Sequence, residues 1–120
     1  MKLLDAIEVE ILPKHKSTAL FRIENRLNEP NSLDLLTRLQ TLLKKGYKDF
    51  IFDLSATRTI SSSGLGVISY CQREVGFSKG RLVVICQDKT VLKLFELTQL
   101  DQFIRFSGSR GEAFEILAEK

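Results

Sequence analysis

The sequence predicts one α/β domain in which helices pack against a mixed, mainly parallel central sheet. Segments with strand character alternate with segments of helical periodicity, and this order implies β-α-β crossovers. Two of the strand segments are almost entirely apolar, as expected for a sheet covered on both faces. The 120 residues are 43% hydrophobic and 28% charged, which is typical of one globular unit. We expect about five strands and about four helices within residues 1–120.

The first two strands are expected to form a hairpin. Ile7–Ile11 alternates apolar and acidic residues, which is typical of a half-buried strand. Thr18–Ile23 is rich in residues that favour β structure. The connection between them contains Pro13 and is short, which favours antiparallel pairing.

An amphipathic helix is predicted next. Asn28–Asn31 has the composition of a turn, and Asn31 or Ser32 is expected to cap the helix. Leucines at spacings of three and four residues then form one apolar face: Leu35, Leu36, Leu39, Leu42 and Leu43. Gly46 suits a left-handed residue just past the helix end.

Two buried strands with a helix between them form the predicted centre of the fold. Phe50–Leu54 and Leu82–Cys86 have the composition of such strands, and a polar loop followed by a helix from about Ser62 to Val75 joins them. A right-handed crossover predicts that the two strands are adjacent and parallel. The inner face of the helix is expected to carry Leu65, Ile68, Cys71 or Gln72, and Val75.

The last part of the chain predicts a helix, an edge strand and a closing helix. Asp88 is expected to cap a helix that extends through Leu97, and Phe103–Phe106 is expected to form the edge strand. Ser109 followed by Glu112 is a capping-box pattern. The apolar face of the closing helix is then Ala113, Phe114, Ile116 and Leu117.

Charge and cysteine content argue against nucleic acid, metal and disulfides. The chain has 18 basic and 15 acidic residues, and its basic clusters at 14–16 and 44–48 are short and contain no run of aromatics. Cys71 and Cys86 lie apart in apolar segments, which indicates buried thiols in a reducing compartment rather than a disulfide or a zinc site.

Targeting signals and catalytic motifs are not found in the sequence. Asp5 interrupts the N-terminus too early for a signal peptide, and no segment approaches the roughly 20 apolar residues that span a bilayer. A cytoplasmic location without membrane insertion is therefore expected. There is no phosphate-binding loop or nucleophile elbow, and His15 is the only histidine. We expect no catalytic residues, no cofactor and no enzyme activity.

The serine run Ser61–Ser63 is the segment with functional potential. It lies where a buried strand leads into a helix, and capping explains one or two of its hydroxyls. Gly64 and Gly66 in the first turn each cost roughly 1 kcal/mol of helix propensity relative to alanine. Such glycines suit a bare helix start that another molecule approaches closely, so Gly64 is expected to be exposed. A phosphate on a serine here would lie in the favourable field of the helix N-terminus.

The same segment carries a resemblance to a known family. Ile60–Gly66, preceded by Phe52-Asp53-Leu54-Ser55, resembles the signature of STAS domains (sulfate transporter and anti-sigma factor antagonist). Phe95–Asp101 resembles a further family segment, and Glu112–Leu117 fits the family's closing helix. The resemblance covers about residues 5–118 and implies the same α/β fold.

The resemblance implies that the chain is an anti-sigma factor antagonist that docks on a kinase-type anti-sigma factor. The phosphoacceptor of stand-alone members matches Ser62, with Ser63 and Ser61 as second choices. The implied partner-binding residues are Asn28, Ser61, Ser62, Ser63, Gly64, Leu65 and Gly66. Ser61 and Asn28 stand where the family usually has acidic residues, so the docking surface here is less negative.

Three other functions remain open from the sequence. The chain could be an adaptor that is never phosphorylated, or a scaffold subunit of a signalling or transporter complex. A nucleotide-binding or nucleotide-hydrolysing module ranks last, because no phosphate loop or carboxylate pair accompanies the serines. A weak homodimer is also left open.

Overall fold

The computed structural model describes residues 7–12, 15 and 17–119. Within this part, seven strands and four helices follow one another along the chain. The strands are β1 (Ile7–Ile11), β2 (Thr18–Ile23), β3 (Asn25–Leu27), β4 (Asp49–Asp53), β5 (Thr57–Ile60), β6 (Leu82–Ile85) and β7 (Arg105–Ser107). The helices are α1 (Glu29–Lys44), α2 (Ser62–Phe77), α3 (Lys89–Leu97) and α4 (Arg110–Ala118), with a 3-10 turn at Leu100–Gln102.

Five strands form the main sheet in the order β1-β2-β4-β6-β7. The β1–β2 pair is antiparallel, as predicted for a hairpin, and the remaining pairs are parallel. In the centre, Phe52 is in register with Val84, and α2 makes the crossover between β4 and β6. The predicted mixed α/β fold with four helices and these two adjacent parallel strands is confirmed.

A second, two-stranded sheet was not predicted. The segment after β4 was expected to be a polar loop, but Thr57–Ile60 is a strand that pairs in parallel with β3. Thr57 and Ile60 are buried, and the Thr57 hydroxyl donates to the Ile23 carbonyl at 2.6 Å. The loop prediction was wrong because this strand is short and half polar, and its stability comes from pairing with residues more than thirty positions earlier.

Helix α1 also begins earlier than predicted. Its N-cap is Asn28, not Asn31 or Ser32. Asn28 Oδ1 accepts a hydrogen bond from the Asn31 amide at 3.3 Å, and Asn31 Oδ1 accepts one from the Asn28 amide at 2.7 Å. This reciprocal arrangement uses an asparagine where the usual capping box has Glu or Gln, so composition alone placed the start too late. Past the other helix end, Gly46 has a φ of 97°, as predicted.

Two hydrophobic layers enclose the main sheet. The larger layer lies between the sheet and α1, α2 and α3, and it includes Phe21, Phe50, Phe52 and Phe95. The smaller layer lies under α4: Leu20, Ile51, Val83, Ile85, Ala113 and Ile116. The central residues of β4, Phe50, Ile51 and Phe52, are apolar on both faces of the sheet because this strand contributes to both layers.

Arginine side chains hold both ends of α4. The Arg81 guanidinium donates to the carbonyls of Ile116, Leu117 and Glu119 and so caps the helix C-terminus. At the other end, Arg110 forms an ion pair with Glu10 at 2.8 Å and a longer one with buried Asp53 at 3.4 Å. Asp53 is therefore buried and paired at the end of its strand, where it has a structural role.

The two cysteines are buried and unpaired, as predicted. Burial and, to a smaller extent, the negative charge of neighbouring Glu74 together raise the pKa of the Cys71 thiol from 9.0 to about 12. Burial also raises the pKa of Cys86, although the Asp88 carbonyl accepts a hydrogen bond from it at 3.8 Å.

We expect the native protein to resist thiol modification at about pH 8, since the thiolate is the reactive form. Both cysteines should react with N-ethylmaleimide after denaturation, and Cys86, at the end of its strand, should react before Cys71 as denaturant is added. Unfolded thiols ionise above about pH 9 while folded Cys71 stays protonated to about 12, so stability should fall across that range. Rapid labelling of Cys71 in the native protein would contradict this account.

Candidate functional site

The small sheet brings the starts of two helices together. Leu27 is in register with Ile60, and the Ser61 amide donates to the Leu27 carbonyl at 2.9 Å. The residues that follow these strands, Asn28 and Ser61, are the N-caps of α1 and α2. Two positive helix ends therefore lie side by side at one edge of the molecule. Two of the predicted site residues, 33 positions apart in sequence, are thus neighbours in the fold.

The three serines of the run differ in their roles. Ser61 is half-buried, and its hydroxyl accepts a hydrogen bond from the Gly64 amide at 3.0 Å. Ser62 and Ser63 are exposed in the first turn of α2. Within the part of the chain that the structure describes, neither of these two hydroxyls has a hydrogen-bond partner. One serine therefore caps the helix, and two present free hydroxyls to solvent.

Gly64 is not exposed, and the expectation of a bare helix start at this position is wrong. It is buried against the small sheet. A Cβ added at Gly64 would lie 2.9 Å from the Leu27 carbonyl oxygen and 2.9 Å from Ile60 Cγ2. The glycine lets α2 approach β3 and β5 closely, so it serves local packing. Sequence spacing could not distinguish this role from exposure, because the contacting strand β3 was itself not predicted.

Gly66 is the open glycine of the motif. It is exposed, and an added Cβ would meet nothing within 4 Å. Together with Leu65 and Ser62 it borders a shallow, mostly apolar groove, whose opposite wall is formed by Thr98 and Leu100. This wall was not assigned to the site from the sequence. The segment containing it, Phe95–Asp101, resembled the family pattern, which was the signal available.

Asn28 is half-buried, and its side chain is used in capping α1. The turn that leads from β4 toward the serines is held by Asp53, whose Oδ1 accepts hydrogen bonds from the Ser55 amide at 3.0 Å and the Ser55 hydroxyl at 2.6 Å. The position of the serine run is therefore set by polar contacts on both of its sides.

Among the described residues, no three or more His, Cys, Asp or Glu side chains are grouped so that they could hold a metal ion. In the same residues, no helix is both long and apolar enough to cross a bilayer.

Comparison with known proteins places this arrangement in a family. The sequence profile of the STAS domain matches residues 7–113. The chain belongs to the STAS domain family. A candidate anti-sigma factor antagonist of Thermotoga maritima is 30% identical over 78 residues, which is 65% of this chain and 69% of that protein.

Solved structures share the fold of this STAS domain. A crystal structure of a candidate anti-sigma factor antagonist from Thermotoga maritima aligns with a TM-score of 0.85 and 23% identity over 94% of this chain and 95% of that one. The anti-sigma factor antagonist SpoIIAA in its unphosphorylated form gives 0.78 and 18% over 96% and 100%. The phosphorylated form of SpoIIAA from Bacillus gives 0.73 and 20% over 92% and 97%. These relatives are described as anti-sigma factor antagonists, which are regulatory proteins, and this agrees with the prediction that the chain is not an enzyme.

The two glycines offer a matched test of the site. Gly64→Ala and Gly66→Ala gain similar helix propensity, but only Gly64→Ala forces a Cβ against Leu27 and Ile60. We expect Gly64→Ala to be less stable than Gly66→Ala by about 1–3 kcal/mol, the usual cost of overpacking. Urea unfolding of both variants measures this difference. Equal stabilities would show that α2 does not depend on close packing at Gly64.

Proposed function

We propose that this chain is an anti-sigma factor antagonist that docks on a kinase-type anti-sigma factor and is switched off by phosphorylation of Ser62. The docking surface comprises Asn28 and residues 61–66, with the wall at Thr98 and Leu100 added from the structure. Membership of the STAS family and the relatives of that class support the general function. The partner and the phosphorylation are proposals for this chain.

The observation that carries the site assignment is the division of roles among the serines. Ser61 is committed to the Gly64 amide, whereas the Ser62 hydroxyl is exposed beside the groove of Leu65 and Gly66. A kinase needs an accessible hydroxyl, so Ser62 and Ser63 are both better substrates than Ser61. Ser62 lines the groove and Ser63 does not, and modification of Ser62 therefore changes the docking surface directly.

A phosphate on Ser62 would act on binding much more than on folding. At the first position of α2 it interacts with the positive helix end, which stabilises it by about 0.3–1 kcal/mol. In a complex, the same group of about −1.5 to −2 charges would be desolvated at the centre of an apolar groove. An interface shaped around a neutral hydroxyl supplies no cation for it, and docking is therefore lost.

Gly64 and Gly66 have different parts in this proposal. Gly64 shapes the surface from beneath by letting α2 pack on β3 and β5. Gly66 leaves the helix backbone bare where the partner approaches. We place the protein in the cytoplasm, because its proposed partner regulates transcription there.

A second candidate is an unphosphorylated adaptor or scaffold subunit of a signalling or transporter complex. The observation that favours it is that Asn28 and Ser61, at positions where the family usually has acids, are both engaged in helix capping. Neither side chain contributes negative charge for a cationic partner.

Phosphorylation of Ser62 is tested with the kinase-type protein encoded nearest to this chain's gene. After incubation with that protein and ATP, mass spectrometry should place one phosphate on Ser62 and none on Ser62→Ala. Ser63→Ala should remain a substrate. Ser61→Ala should lose about 1 kcal/mol of stability through its cap and still be phosphorylated. Phosphate on Ser63 would correct the site, and no phosphate on any serine would favour the adaptor.

Docking is tested with the same variants by calorimetric titration. Ser62→Ala should bind the partner as the unmodified protein does, and it should continue to bind in the presence of ATP. Ser62→Asp should bind about a hundredfold more weakly or worse, since an unpaired desolvated charge costs several kcal/mol. Its melting temperature should stay close to that of Ser62→Ala. Unchanged binding of Ser62→Asp would contradict the switch while leaving the docking surface in place.

A further inference from the structure

The end of the molecule opposite the serines carries an unexplained aromatic residue. Phe77, the last residue of α2, is 86% exposed, more than any other large hydrophobic side chain in the described residues. A phenyl ring that is left in water contributes none of the free energy of folding that its burial would provide. Isolated apolar residues on a surface are common, so the surroundings of Phe77 decide whether it has a role.

Two loops that carry lysines meet next to Phe77. A Cβ on Gly80 would lie 1.7 Å from the Lys48 carbonyl oxygen, so the loop after α2 and the loop after α1 are in backbone contact. Lys44 lines a groove together with Ser78, which follows Phe77 directly. Four lysines are therefore placed at the same end as the phenyl ring. We call this the basic end: Lys44, Lys45, Lys48, Phe77 and Lys79.

Two acidic residues lie close to the basic end, Asp49 directly after Lys48 and Glu74 in the groove that Lys44 lines. Asp49 accepts a hydrogen bond from the Arg81 amide at 3.0 Å and lies 3.9 Å from the Arg81 guanidinium. Glu74 accepts one from Gln40 at 3.0 Å, a neutral donor that does not offset its charge, so the four lysines outnumber the two carboxylates beside them. All four lysines are exposed, and none of them forms an ion pair with a described residue. The basic end therefore presents a local positive charge that the small net charge of the chain does not reveal.

Helix capping explains only part of this arrangement. Lysines near a helix C-terminus interact favourably with its dipole, which accounts for Lys44 and Lys45. Lys48 lies beyond the helix end, and Lys79 follows α2 in a left-handed conformation with a φ of 62°. Neither capping nor the dipole accounts for an exposed phenylalanine among these charges.

We propose that the basic end binds the surface of a bilayer containing anionic lipids. An apolar side chain that enters the interface, surrounded by lysines that meet lipid phosphates, is the combination used in peripheral membrane binding. Duplex nucleic acid would also attract the lysines, but its bases are stacked inside the helix and offer no apolar surface for Phe77. Single-stranded RNA has bases that can stack on a phenyl ring, and it is therefore the competing ligand in the vesicle experiments. The contact is peripheral, so it agrees with the sequence-based expectation of no membrane insertion.

The position of the basic end leaves the docking surface free. Helix α2 has 16 residues and is therefore about 24 Å long, with Ser62 at one end and Phe77 at the other. A protein held at a membrane by the basic end would present its serines away from the lipid. The inference does not depend on the proposed anti-sigma function, because it requires neither a kinase nor a partner.

The first test uses the absence of tryptophan from the chain. Phe77→Trp introduces a single fluorophore at the basic end, and Phe103→Trp introduces one at another exposed phenylalanine, which is 66% exposed. Vesicles of equal parts phosphatidylglycerol and phosphatidylcholine should shift the emission of Phe77→Trp to shorter wavelength. They should leave the emission of Phe103→Trp unchanged. Equal shifts, or no shift at either position, would overturn the proposal.

The second test separates the ring from the charges by vesicle flotation. Phe77→Ser and the double variant Lys45→Glu/Lys48→Glu should each weaken vesicle binding about tenfold or more. The matched control Lys89→Glu/Lys93→Glu, with exposed lysines on α3, should bind like the parent protein. Binding should fall as salt rises from about 0.1 M to about 1 M, where the Debye length shrinks to about 3 Å.

Three results would contradict membrane binding at this site. They are equal binding to pure phosphatidylcholine vesicles, full binding by Phe77→Ser, and preferential binding to single-stranded RNA in a competition with anionic vesicles. Phe77→Ser removes an exposed side chain and should keep the parent melting temperature, so loss of binding cannot be assigned to unfolding.

Discussion

The hydrogen bond from the Ser61 amide to the Leu27 carbonyl, at 2.9 Å, joins two parts of the chain that sequence separates widely. It extends the pairing of β3 with β5 to the first residue of the serine run. Without this pairing, nothing would fix the start of α1 relative to the start of α2, and Asn28 would not lie beside Ser61. The small sheet is short, but the geometry of the candidate docking surface depends on it.

That pairing is compatible with the position of α2 only because residue 64 is a glycine. The space that a side chain would fill is occupied by the Leu27 carbonyl and by the side chains of Leu27 and Ile60. Packing this close buries the apolar residues of the small sheet and excludes water from its hydrogen bonds. The rest of the motif is free of this constraint, and for this reason Ser62 and Gly66 can face solvent. One glycine thus serves stability, while its neighbour two positions later leaves a surface open.

Asp53 connects the serine run to the other face of the sheet. One carboxylate oxygen holds the Ser55 turn, and the other pairs with Arg110 at the start of α4. A buried carboxylate is costly unless its oxygens are satisfied, and here both have partners. Asp53 consequently contacts both the turn before β5 and the start of the closing helix α4. The two ends of α2 carry different surfaces, the serines at the N-terminal end and the basic end at the C-terminal end.

The sequence by itself determined the order of the main elements, because their signals are local. Periodic leucines in α1, continuous apolar residues in β4 and β6, and capping residues such as Asp88 and Ser109 act within a few positions of one another. The serine motif was also visible, and so was its place at the start of α2. The tertiary structure alone decided the role of each residue within the motif. Strand β5 is half polar and becomes a strand only by pairing with β3, and Gly64 is buried only because β3 lies against it. These contacts join positions more than thirty residues apart, and no local pattern encodes the distance between two atoms brought together by the fold.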